Sequence, residues 1–139
     1  MQISYLRYTG VYVATMLALA ALNWALATFA SYSLPSGLGT ILPPMLAAML
    51  EGQFHARATR APLAPGEAWR AAGVMTGIAA VIAGLMLVIV AAGTPEYAQL
   101  PTGLLAGITL ALLVATFLVN RLFLGMGARQ ELRAQARRP

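Results

Sequence analysis

Polar residues are sparse in this chain, and they gather between long apolar runs. The runs lie at about 9–31, 37–55, 71–92 and 102–125. About 20 mostly apolar residues carry an α-helix across the hydrocarbon core of a bilayer, so each run is long enough, or nearly so, to cross. The second is short and is interrupted by Pro43 and Pro44. The pattern predicts an all-α integral membrane bundle of four transmembrane helices over residues 1–126, followed by a basic tail at 127–139. The first run is too long and too Ala-rich for a cleaved signal peptide, and a signal anchor is the alternative.

The positions of the charges predict an orientation. Arg7 precedes the first run, and Arg57, Arg60 and Arg70 lie between the second and third. Arg121, Arg129, Arg133, Arg137 and Arg138 end or follow the fourth. The connections "SYSLPS" and "GTPEYAQLP" hold no basic residue. Every Arg thus falls on one side, and the positive-inside rule places both termini and the central loop in the cytoplasm. Tyr5, Tyr8 and Trp69 are then expected at the cytoplasmic interface, with Tyr32 and Tyr97 at the opposite one.

Small residues recur at helical spacing: Ala14, Ala18, Ala21 and Ala25 in the first run, Gly73, Gly77, Ala80 and Gly84 in the third, and Gly103, Gly107, Ala111 and Ala115 in the fourth. Lipid tails give helices no hydrophobic reason to associate, so close backbone approach along such seams is the expected contact. The seams do not say whether that contact lies within one chain or between chains. "LPSGL" at 34–38 and "LPTGL" at 100–104 open the second and fourth runs. They read either as hydroxyl caps from Ser36 and Thr102 or as the trace of a duplicated two-helix hairpin.

The second run holds the most informative polar residues. Pro43 and Pro44 lack N–H groups and free the carbonyls of Gly39 and Thr40, so a bend with a small polar spot is expected there. Glu51 lies roughly 21 Å down this helix, inside a core of about 30 Å. His55 is four residues further on the same face. Arg121, about 27 Å along the fourth helix, reaches a similar depth beside Asn120. A Glu51–Arg121 ion pair joining two helices is the expected arrangement. A proton-relay role for Glu51 and His55, or simple exposure of Glu51 at the interface, are the alternatives. Asn23, nearer the bilayer middle, is expected to hydrogen-bond between helices, with a ligand contact as the other possibility.

Pro65, Gly66 and Glu67 mark the start of the third helix, where the dipole favours a negative charge, and Trp69 anchors it at the interface. In the tail, Arg129, Arg133 and Arg137 fall on one helical face. They suit either a short surface helix on anionic lipid headgroups or a solvated tail.

"AAMLEGQFHAR" followed by "APGEAWRAA" resembles a family of small four-helix proteobacterial inner-membrane proteins. Its members show Gly-Gln-x-Phe at the end of the second span and Pro…Glu-x-Trp-Arg before the third. The matching positions are Gly52, Gln53, Phe54, Pro65, Glu67, Trp69 and Arg70, with Phe54 directly after Gln53 and no residue between them. The resemblance implies an inner-membrane, multi-pass topology. It implies no activity.

Composition then narrows the function. The chain has 139 residues, 60% of them hydrophobic and only 9% charged, with a mean hydropathy of +0.75, whereas soluble domains carry about 25% charged residues. There is no Cys, Lys or Asp, and one His. Thiol redox chemistry, a Schiff-base cofactor, aspartyl phosphotransfer, a bis-His haem within one chain and a metal site all lack their residues. The net charge of +5 flanks apolar segments and points to anionic headgroups and not nucleic acid. The expectation is a protein with no cofactor and no catalysis: a packing or accessory subunit of a membrane complex, or a homo-oligomer. The alternative is a small oligomeric transporter or channel with a protonatable Glu51.

Overall fold

The computed structural model describes residues 3–93 and 101–137. Four helices make up the chain: α1 (Tyr5–Ala30), α2 (Ser36–Thr59), α3 (Pro65–Gly93) and α4 (Thr102–Ala136). There is no strand among the described residues. Three helices are long and apolar enough to cross a membrane, namely α1, α3 and α4, which marks the chain as a membrane protein. The shorter α2, with its prolines, Glu51, Gln53 and His55, is not among them. Tyr97 and Arg138 lie outside the described residues.

Helix ends differ from the expected spans for identifiable reasons. Ser4 caps α1, its hydroxyl accepting from the Arg7 N–H at 3.3 Å, so the helix starts before the first strongly apolar residue and includes Arg7 and Tyr8. Ser31 and Arg60 each adopt φ 51°, and these two left-handed residues turn the chain out of α1 and α2. The N-cap positions of α2 and α4 are Pro35 and Pro101. Ser36 and Thr102 are first helical residues, not caps, because proline at the boundary supplies the extended backbone that starts the helix. The tail is not a separate surface helix. α4 runs unbroken to Ala136.

α2 also runs unbroken through Pro43 and Pro44, and both are buried. The residues whose carbonyls lose their donors border cavities. Gly39 lines one of about 360 Å³ with Asn23 and Leu34. Thr40 lines another of about 420 Å³ between α3 and α4.

Packing is concentrated at the arginine-rich end. Tyr8, Tyr12, Ala47, Ala48, Ala71, Met75, Ala79 and Leu124 form the buried cluster there. Towards the other end Trp24, Phe29, Val88, Ile89 and Leu104 are exposed. The most extensive helix contact joins α2 to α4, followed by α1 with α2 and α3 with α4. Two glycines make the first of these possible. A Cβ on Gly52 would strike the Leu124 carbonyl oxygen and meet the Ala128 nitrogen at 2.9 Å. A Cβ on Gly127 would strike the Met49 carbonyl. The backbones approach so closely here that only hydrogen fits.

The expected seams are elsewhere and make no such approach within the chain. A Cβ on Gly73, Gly77, Gly84, Gly103 or Gly107 would find nothing within 4 Å, and Ala14 and Ala18 are exposed. Spacing alone identifies glycines that allow close approach. It does not identify those a neighbouring helix uses.

Candidate functional site

The polar side chains of the helices converge at the packed end. Glu51 is fully buried on α2, among the small residues Ala47, Ala48 and Gly52. Its partner is Arg7, not Arg121. Arg7 Nε donates to Glu51 Oε1, and Arg7 Nη2 donates to Oε2 at 2.9 Å. The backbone N–H of Ser4 donates to the same Oε2 at 3.1 Å. Arg7 reaches Glu51 because α1 begins at Tyr5, which places its guanidinium inside the bundle end. Two parallel N–H···O bonds fix orientation as well as charge. Ser4 holds both partners in place, with its hydroxyl on the helix start and its N–H on the carboxylate.

The Phe54 ring lies beside this pair. The Arg7 guanidinium carbon is 4.0 Å from its centroid and that of Arg57 is 5.6 Å away. Arg57 also bonds Glu131 of α4 at 3.0 Å. Gln135 donates to Glu131 at 3.4 Å and to the Ala56 carbonyl at 3.5 Å. The far end of α4 is therefore clasped to α2. Arg129, Arg133 and Arg137 remain on its exposed surface.

A second polar group joins three helices. Asn120 is fully buried on α4. It accepts from the Tyr8 hydroxyl of α1 at 3.0 Å and donates to the Thr76 hydroxyl of α3 at 3.2 Å. The Thr76 hydroxyl in turn donates to the Ala72 carbonyl at 2.8 Å. Such bonds are worth roughly 0.6–2 kcal/mol each between membrane helices, and here one amide engages two helices. Asn23 accepts from the Leu34 N–H at 2.8 Å. That bond ties the α1–α2 connection back onto α1.

His55 is buried, and its Nδ1 has no partner. Although it shares the Glu51 face, no hydrogen bond links the two among the described residues. Arg121 lies over the Trp69 ring at 4.9 Å, and Trp69 in turn packs on Phe117 at 5.5 Å between centroids. Among the described residues no three His, Cys, Asp or Glu side chains gather into a metal-sized group.

Compared with models of protein families, with curated proteins and with solved structures, the chain has no match. The geometry alone therefore bears on what the site does. Chemically it is a set of ties. Each described carboxylate inside the packed end accepts from an arginine, and the buried amide is bonded on both sides.

Reading the sequence brings Glu51, His55, Asn120 and Arg121 to one end of the molecule, but it misses Ser4, Arg7, Tyr8 and Thr76 as partners. The signal for the first three was Ser4. A serine just before an apolar run is a candidate helix N-cap. Counting the helix from Ser4 puts Arg7 and Tyr8 inside it. Thr76 carried no signal beyond its place among apolar neighbours.

Proposed function

We propose that the chain is a four-span protein of the bacterial inner membrane, with both termini in the cytoplasm. It works as a non-catalytic packing partner, either as an accessory subunit of a membrane complex or as a homo-oligomer. The observation that carries this reading is the open face on two helices. Gly73 and Gly77 on α3, and Gly103 and Gly107 on α4, could each admit a neighbouring backbone, and within the chain none is there. Small-residue faces are what membrane helices use to associate. The alternative, proton transport on Glu51, has less support, because two arginine nitrogens and a backbone N–H hold that carboxylate.

The test is the mass of the intact particle after gentle detergent extraction. It is expected to exceed the 14.6 kDa of one chain. Gly77→Leu, at a position where an added Cβ meets nothing within 4 Å among the described residues, is expected to reduce the particle mass while leaving the helical signal unchanged. A wild-type particle of one chain overturns the reading.

Topology has its own test. Reporters placed after Pro139 and within residues 57–66 are both expected to read cytoplasmic. A periplasmic result at either place rules out the four-span arrangement.

A further inference from the structure

Arg121 carries a charge that no carboxylate among the described residues balances. Glu51 is taken by Arg7 and Glu131 by Arg57. Glu67 lies exposed in the first turn of α3. No carboxylate within ion-pair reach of Arg121 occurs among the described residues. Asn120, beside it in sequence, is used by Tyr8 and Thr76. The Arg121 Nε is buried and has no hydrogen-bond acceptor. Its terminal nitrogens are not buried and make no hydrogen bond among the described residues, so they are the donors open to an acceptor from outside the chain.

The guanidinium is also held in place. The guanidinium carbon lies over the Trp69 ring, 4.9 Å from the centroid, and Phe117 backs that ring. Its Nη1 sits where a Cβ on Gly125 would meet it at 3.5 Å. A flexible surface arginine loses side-chain freedom when it captures an anion. This one has already lost much of it.

Its depth points to the source of the anion. Counted from Gly103, Arg121 lies about 27 Å along α4, close to the full thickness of a hydrocarbon core of about 30 Å. Phosphates of lipid headgroups lie at that level, and Trp prefers the same layer. A phosphodiester offers the anionic oxygens that suit the planar guanidinium fork.

We propose that Arg121, stacked on Trp69 between α3 and α4, binds the phosphate of one anionic phospholipid. The site differs from the diffuse attraction of the exposed tail arginines, because its guanidinium lies against the Trp69 ring and is only partly exposed. It rests on the membrane placement proposed above, but not on any oligomeric state.

The test is native mass spectrometry of the full chain in mild detergent, titrated with phosphatidylglycerol and separately with phosphatidylcholine. One phosphatidylglycerol adduct is expected to bind well before further ones, and before phosphatidylcholine. Arg121→Gln is expected to weaken that first adduct about tenfold, in keeping with loss of a charge-assisted hydrogen bond. Arg121→Lys retains the charge without the planar fork and is expected to fall between. Trp69→Phe, which keeps charge and helix but weakens the stack, is expected to lower affinity by a smaller factor. Arg129→Gln is the control and is expected to leave the first adduct unchanged. Equal binding of the two lipids overturns the proposal, as does an Arg121→Gln first adduct like that of the wild type. So does a drop in particle mass in Arg121→Gln with lipid binding intact, because the acceptor is then a neighbouring protein. The same spectra report the number of chains. A single chain with the adduct would remove the packing-partner reading and keep the site, and an oligomer without it would do the reverse.

Discussion

Gly127→Ala lowers the stability of the chain sharply, although alanine is the better helix former. Alanine gains about 1 kcal/mol over glycine in a helix interior. Against this, the new methyl would occupy the place of the Met49 carbonyl. That neighbour is helix backbone and cannot swing aside, so α2 and α4 must separate along their most extensive contact. Overpacking costs about 1–3 kcal/mol, and occasionally more when nothing can yield. With the cost at the top of that range and the alanine gain subtracted, a net loss of about 2 kcal/mol is expected, read as a lower thermal midpoint in detergent. Gly52→Ala should behave alike, since its methyl meets the Leu124 carbonyl. Gly125→Ala is the internal control. Its methyl would meet only the end of the Arg121 side chain at 3.5 Å, and the variant should match or exceed the wild type. If Gly127→Ala and Gly125→Ala melt together, the helices do not cross as described.

The second large effect belongs to the ion pair. Glu51→Gln leaves Arg7 at the end of the bundle without its counter-ion. Removing one member of a buried pair costs about 3–5 kcal/mol. Here 35% of the Arg7 side chain is exposed, and water offsets part of that loss, so about 2 kcal/mol is expected. The double variant with Arg7→Gln should recover part of it, with a coupling of about 1 kcal/mol or more. Arg121→Gln combined with Glu51→Gln should be additive to within about 0.5 kcal/mol, because the two side chains share no bond. The measurement is a double-mutant cycle of unfolding in micelles. Coupling between Glu51 and Arg121, with none to Arg7, would refute the assignment.

That Glu51 is tied to an arginine was legible in the sequence, but which arginine was not. Hydropathy placed the first span at about residue 9, so Arg7 seemed to lie outside it, and Arg121 was the remaining cation at a suitable depth. A cap about one and a half turns earlier than the apolar run decides the matter, and Ser4 was present to be read. Four helices and the all-α class followed directly from the length and spacing of the apolar runs. The glycines illustrate the opposite case. Gly73 with Gly77 and Gly103 with Gly107 have the spacing of a packing motif and touch nothing, whereas Gly52 and Gly127 have no such spacing and lie where two backbones nearly meet. A crossing of helices that are distant in the chain depends on the approach of both, and one-dimensional spacing reports on each separately. The tail was obscure for a related reason. Its Glu131 and Gln135 look like surface residues until α2 is placed beside them.

The tie between Tyr8 and Asn120 spans 112 positions, and this separation sets an order of events during synthesis. The α1–α2 hairpin can close early, since Arg7, Ser4 and Glu51 are all made within the first 51 residues. The Tyr8 hydroxyl must then wait, because its acceptor is on α4, which is made after the other three helices. The same delay holds for Arg57, whose partner is Glu131, and for the narrow face at Gly52, which only α4 covers. Until that helix arrives, the first half carries unmet polar groups and a bare groove, and the completed fourth helix closes all three in one step. The last of these four helices thus acts as the latch on the first.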